Sequence, residues 1–154
     1  MYRENYSRRR YEPSGEVALF VDGPNMLRKE FMVDLRELKK RVSRFGRITI
    51  AEVFLNQFAP EKLVEAVINE GFQVVMILAE QEEEASDVDV AMAVNATEAA
   101  LVREVTHIAL ATRDADFMPV IQKAKEYGKI TIVIGADPGF SIGLRNSADI
   151  VEML

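Results

Sequence analysis

Five aspartates stand where apolar runs of this chain end or where the helix after one begins. Asp22 closes Val17-Ala-Leu-Phe-Val21, Asp87 and Asp89 come soon after the run from Phe72 to Leu78, and Asp114 and Asp116 follow Ile108-Ala-Leu-Ala111. If those runs are parallel strands, their carboxyl ends share one edge, and open α/β sheets bind ligands in the crevice outside that edge. Carboxylates gathered there repel one another unless a hard cation such as Mg²⁺ or Mn²⁺ sits between them. Each aspartate also has a plain structural use: Asp87 or Asp116 could cap the helix that follows, and Asp22-Gly23 is a common turn pair. Asp87 and Asp89, two apart on a helix, point to different sides, so one of them faces the cluster. Asp89 is the expected one, with Asp87 serving the helix end.

Other chemistries of a sheet edge fit these residues poorly. A phosphate cradle needs a glycine-rich turn after a strand, and Asp22-Gly-Pro-Asn25 has one glycine. A phospho-accepting receiver would want an acidic residue after the third strand and a lysine after the fifth; those places read Leu78-Ala79 and Gly135-Ala136. A nucleophilic aspartate with a second two residues on meets Pro24 instead. The one histidine, His107, lies inside an expected strand, and the absence of cysteine excludes thiolate zinc sites and thiol catalysis. Metal-assisted hydrolysis needs carboxylates and neither of those residues.

The elements that must position these groups alternate. Strands are expected at Val17–Val21, Ile48–Leu55, Phe72–Leu78, Val105–Ala111 and Ile130–Ile134, each rich in branched residues. Helices are expected at Asp34–Phe45, Pro60–Glu70, Asp87–Arg103 and Asp116–Tyr127, with Gly46, Gly71 and Gly128 just beyond three of their ends. A short helix at Phe140–Arg145 and an edge strand at Ile150–Leu154 complete the pattern. The alternation predicts a three-layer, Rossmann-like α/β domain over residues 16–154, with a mainly parallel sheet and helices on both faces.

With 154 residues, about half of them apolar, the chain can bury a real core. No apolar stretch reaches the roughly 20 residues of a membrane span, so no membrane association is expected and a cytoplasmic location is. Residues 1–15 are arginine-rich and end in Pro13-Ser-Gly15, which reads as a flexible basic arm. The net charge of −6 disfavours a generic nucleic-acid surface, yet positive charge concentrates in that arm and in residues 28–47. Glu80 and Glu82 to Glu84 form a separate acidic run.

Four segments, Val21-Asp-Gly-Pro-Asn25, Asp87-Val-Asp-Val-Ala-Met92, Thr112-Arg-Asp-Ala-Asp-Phe-Met-Pro119 and Ser141-Ile-Gly-Leu-Arg-Asn-Ser-Ala-Asp149, resemble the successive motifs of the NYN domain. That is the branch of PIN-like nucleases that includes the LabA-like (DUF88) proteins, and the resemblance runs from about Val17 to Leu154. It implies a PIN-like fold, a Mg²⁺ or Mn²⁺ site and endoribonuclease activity. Asp22, Asp89, Asp114 and Asp116 match the acidic residues of that site, with Asn25 and Thr112 beside them and Asp87 in support. Asn95 stands where many relatives carry aspartate, Arg113 where glycine is usual, and Glu82-Glu-Glu-Ala-Ser86 where many have a lysine. These departures keep a second reading open, a regulatory RNA-binding module with weak or no turnover. In either case Arg28, Lys29, Lys39, Lys40, Arg44 and Arg113 are the residues expected to meet RNA, single-stranded or with exposed loops. A homodimer and a DNA substrate both stay open.

Overall fold

The structure, a computed structural model, describes residues 15–28, 33–81 and 86–154. Residues 1–14 of the arm read over residues 1–15, together with Lys29, lie outside them. Six strands form one parallel sheet in the order β3-β2-β1-β4-β5-β6. They are β1 (Glu16–Asp22), β2 (Arg47–Asn56), β3 (Gln73–Ile77), β4 (His107–Ala111), β5 (Ile130–Gly135) and β6 (Ile150–Met153). Six helices join them: α1 (Gly23–Met26), α2 (Leu35–Ser43), α3 (Glu61–Asn69), α4 (Ser86–Val102), α5 (Met118–Glu126) and α6 (Ile142–Ser147). A 3₁₀ turn, Ala115–Phe117, precedes α5.

Strand β1 reads as an unbroken apolar run because both of its faces are covered. Val17, Leu19 and Val21 pack with Leu35, Leu38 and Val42 of α2 and Val67 of α3. Ala18 and Phe20 point the other way, into Met92 and Ala96 of α4, Ile121 of α5 and Leu144 of α6. Burying one such Leu or Phe side chain contributes about 1.5–3 kcal/mol, so this central strand anchors the fold. From β1 the chain steps outward to β2 and β3, then returns over the opposite face to β4 and steps out the other way. Strands β1 and β4 are therefore neighbours whose connections diverge, and the crevice of the sheet opens at their carboxyl ends.

The elements depart from expectation in three places. The Asp22-Gly-Pro-Asn25 segment is a one-turn helix rather than a plain turn, since Asp22 caps it by accepting from the Asn25 amide at 3.4 Å and Pro24 suits its first turn. The segment expected as one helix from Asp116 divides into the 3₁₀ turn and α5. Its capping carboxylate is Asp114, which accepts from the Asp116 amide at 2.9 Å. The last helix starts at Ile142, capped by the Ser141 hydroxyl.

Candidate metal centre

Asp22 ends β1 with no solvent exposure at all. A buried carboxylate needs donors, and two supply them: the Thr112 hydroxyl donates to Oδ2 at 3.1 Å and the Asn25 amide to Oδ1. Thr112 is itself held at the end of β4, its amide donating to the Ile134 carbonyl of β5. Its hydroxyl oxygen also accepts from the Asp114 amide at 3.2 Å. A single chain of hydrogen bonds thus runs from Asp22 through Thr112 to Asp114, and on to the amide of Asp116.

Helix α4 delivers the remaining carboxylate. One oxygen each of Asp89, Asp114 and Asp116 lie within 4.8 Å of one another, with Asp89 and Asp114 half-buried and Asp116 exposed. Adjacent ligands of an octahedral Mg²⁺ stand about 3 Å apart and opposite ones about 4 Å, so the three would draw together to share one ion. Oδ1 of Asp89 is buried with no hydrogen-bond partner among the described residues. An orphaned acceptor in a group of carboxylates is what a hard cation would satisfy, and oxygen-only donors suit Mg²⁺ or Mn²⁺.

The electrostatics point the same way. Burial, reinforced by the charge of Asp22, pushes the Asp89 carboxyl up to about 8. Burial also pushes Asp22 up, to about 6, although its bonds from Thr112 and Asn25 pull it back and the charge of Asp114 adds to the rise. Without a cation Asp89 favours its protonated form near neutral pH.

The other expected residues divide. Asn25 is beside the site: its side-chain oxygen accepts from the Arg113 amide at 2.9 Å, and its carbonyl accepts from the Arg113 guanidinium at 3.1 Å. The same guanidinium reaches the Pro138 carbonyl, and the Arg113 carbonyl accepts from the Ser141 amide. Arg113 thus ties together the chain after β1, β4 and β5, a role with no local signal in the sequence. Arg28 donates to the Pro24 carbonyl of α1, next to Asp22. Asp87 is half-buried and belongs to no carboxylate group with the other three. Asn95 follows Asp89 by six residues, which rotates it about 240° around α4. There its amide donates to Glu52 at 3.3 Å and lines a cavity of about 260 Å³ with Gln73 and Glu98.

The basic segment lies largely along α2. Lys39 donates to the Glu70 carbonyl at 2.9 Å and stands over the Phe72 ring, while Arg44 pairs with Glu152 of β6. Lys40 is exposed. The sequence reading missed Arg41, which donates to the Met153 carbonyl and so fastens β6 beside α2.

A model of the NYN domain matches residues 16–153, nearly all of the chain. The chain belongs to the NYN-domain family. An uncharacterised protein of Methanocaldococcus jannaschii is 56% identical over 135 residues, which cover 88% of this chain and 53% of that protein. The NYN chain thus spans about half the length of this curated relative. A crystal structure of a protein of unknown function from Vibrio parahaemolyticus shares the fold with a TM-score of 0.78, at 20% identity, over 91% of this chain and 93% of that one. The NYN domain of this chain is a PIN-like nuclease fold carrying an acidic cluster, and no helix among its described residues is long and apolar enough to cross a membrane.

Proposed function

We propose that this NYN domain is a Mg²⁺- or Mn²⁺-dependent endoribonuclease. The observation that carries the reading is the convergence of Asp89, Asp114 and Asp116 around an orphaned carboxylate oxygen, over a buried Asp22. Asp89, Asp114 and Asp116 would hold the cation, with Asp22 behind them adding charge and fixing Thr112. When bound, the cation supplies Lewis-acid activation of water and neutralises charge developing on the phosphodiester. Attack by water forms one P–O bond and breaks one ester P–O bond, so the water gives up a proton and the departing sugar oxygen takes one from solvent. Asp116, the exposed member, would accept the water's proton.

Arg28 and Arg113 flank α1 at the edge of the site and would add positive charge where a backbone phosphate enters, with Lys40 contributing exposed charge farther along α2. Single-stranded or looped RNA is the favoured substrate, because its phosphates can enter a crevice that a stiff duplex cannot.

The deciding experiment incubates the protein with single-stranded RNA in Mn²⁺, in Ca²⁺ and in chelator, alongside Asp89→Asn and Asp114→Asn. Cleavage is expected in Mn²⁺ for the wild type alone. Equal cleavage by both variants, or RNA binding in Mn²⁺ with no cleavage by the wild type, removes the catalytic reading; the second result leaves a binding module.

A further inference from the structure

Residue 113 stands between two groups on which the cation site depends, Thr112, which donates to Asp22, and Asp114 itself. Its peptide groups are pinned on both sides. The Arg113 amide donates to the Asn25 side chain at 2.9 Å, and the Arg113 carbonyl accepts from the Ser141 amide at 3.1 Å. The Asp114 amide, in the same peptide unit as that carbonyl, donates to the Thr112 hydroxyl at 3.2 Å. These bonds need only a backbone, so they do not explain why an arginine stands here.

The side chain does what the backbone cannot. Strand β4 lies between β1 and β5, and the half-buried Arg113 just past its end reaches the segments that follow both neighbours. One terminal nitrogen of the guanidinium donates to the Asn25 carbonyl beyond β1, and the other to the Pro138 carbonyl beyond β5. A planar guanidinium can hold two carbonyls at once, whereas a lysine ammonium is a compact point charge on a flexible stem and has no such fork. Asn25 is also the residue whose amide Asp22 caps. A closed path of contacts therefore runs from Asp22 to Asn25, through Arg113 to Asp114, and back through Thr112 to Asp22. The guanidinium doubles the Asn25 link of that path and ties it to the chain after β5.

We infer that Arg113 is a positioning residue of the cation site: by stapling the segments after β1 and β5 to the end of β4, it sets the Asp114 carboxylate against Asp22 and Asp89 without touching the ion. This role rests on the reading of the carboxylates as a cation site and not on the cleavage of RNA. Groups that hold metal ligands in place commonly contribute about 10–100-fold to metal affinity, and a loss of that size is expected when the staple is cut.

Calorimetric titration of the full chain with Mn²⁺, with no RNA present, tests the staple in the wild type, Arg113→Lys, Arg113→Met and, as a control, Arg41→Met. Arg41 also donates to a distant carbonyl, that of Met153, but takes no part in the closed path. Both Arg113 variants are expected to bind Mn²⁺ about 10–100-fold more weakly than the wild type and to alter the electron paramagnetic resonance spectrum of the bound ion. Arg41→Met should lower the melting temperature and leave Mn²⁺ affinity unchanged. Arg113→Lys keeps the stem and the charge, so it carries the test where Arg113→Met fails to fold. Wild-type affinity in Arg113→Lys would show that charge alone suffices and overturns the staple. An equal loss of affinity in Arg41→Met would make the effect one of general stability and overturns it as well. A wild type that binds no Mn²⁺ removes the cation site and this role with it, whereas Mn²⁺ binding without RNA cleavage ends the nuclease reading alone.

Discussion

Asp89 makes the pH dependence of this domain predictable in sign. Its carboxyl is raised to about 8 in the fold, chiefly by burial, against the ordinary value of 3.8. The folded state therefore favours the protonated form. The stability this contributes is complete below about pH 4 and is lost as pH rises through about 8; Asp22 acts in the same direction, with its window ending at about 6. In metal-free buffer the melting temperature should fall steadily between about pH 5 and pH 8.5, and Asp89→Asn should flatten that slope and melt several degrees higher at the alkaline end. Calorimetry across that range checks it, and a slope that Asp89→Asn leaves unchanged would detach the titration from this residue. Thr112 offers a second test, because its hydroxyl both donates to Asp22 and accepts from the Asp114 amide. Thr112→Val keeps the shape and removes both bonds, so about 1–3 kcal/mol of stability should be lost in denaturant titrations, together with Mn²⁺ affinity.

Among the elements, α1 is packed tightly on its neighbour. A methyl group at Gly23 would meet the Phe54 carbonyl at 2.3 Å and a Leu55 methyl at 2.4 Å, so the short helix lies directly on β2. Gly23→Ala should push α1 off, disturb the Asp22–Asn25 cap and weaken cation binding well beyond the loss in stability; calorimetric titration with Mn²⁺ would show it. The amino-acid sequence displayed the central strands plainly, because β1 and β4 are buried on both faces and leave unbroken apolar runs. It also pointed to Asp89 over Asp87, because the helical period sends them to different sides and Asp87 stands nearer the helix end. Cap assignment was harder: Asp114 and Asp116 are two residues apart, and whether the first turn is α or 3₁₀ decides which of them serves the backbone. The position of Asn95 shows a related limit. A substitution that looks damaging in a linear motif lies about 240° around α4 from Asp89 and bonds to Glu52 instead. Long-range anchors such as Arg113 and Arg41 leave no periodic trace, because their partners are carbonyls far along the chain.

The molecule carries a net charge of −6, yet the proposed substrate is a polyanion. Affinity must therefore come from local contacts, and a bound divalent ion offsets part of the mismatch. Neutralising Arg28 and Lys40 together should weaken RNA binding and flatten its dependence on salt, while the rate at saturating RNA survives. Fluorescence anisotropy over a salt series, paired with single-turnover cleavage, separates the two effects. Unchanged affinity and slope would leave both side chains as solvated charge. Saturating Mn²⁺ should raise the melting temperature, by an amount that grows with pH as cluster protons are displaced.

The grouped carboxylates Asp89, Asp114 and Asp116 sit on one edge of the sheet, and among the described residues the opposite edge includes the turn at Gly128. That glycine has a positive φ of 78° and nothing within 4 Å of the place a side chain would start, so the turn is open to solvent. A flexible peptide spliced in after Gly128 should leave Mn²⁺ affinity intact, whereas the same splice after Arg113 should abolish it. Reporter groups, affinity handles or entire guest domains could be carried on that far side without the carboxylate edge registering their presence.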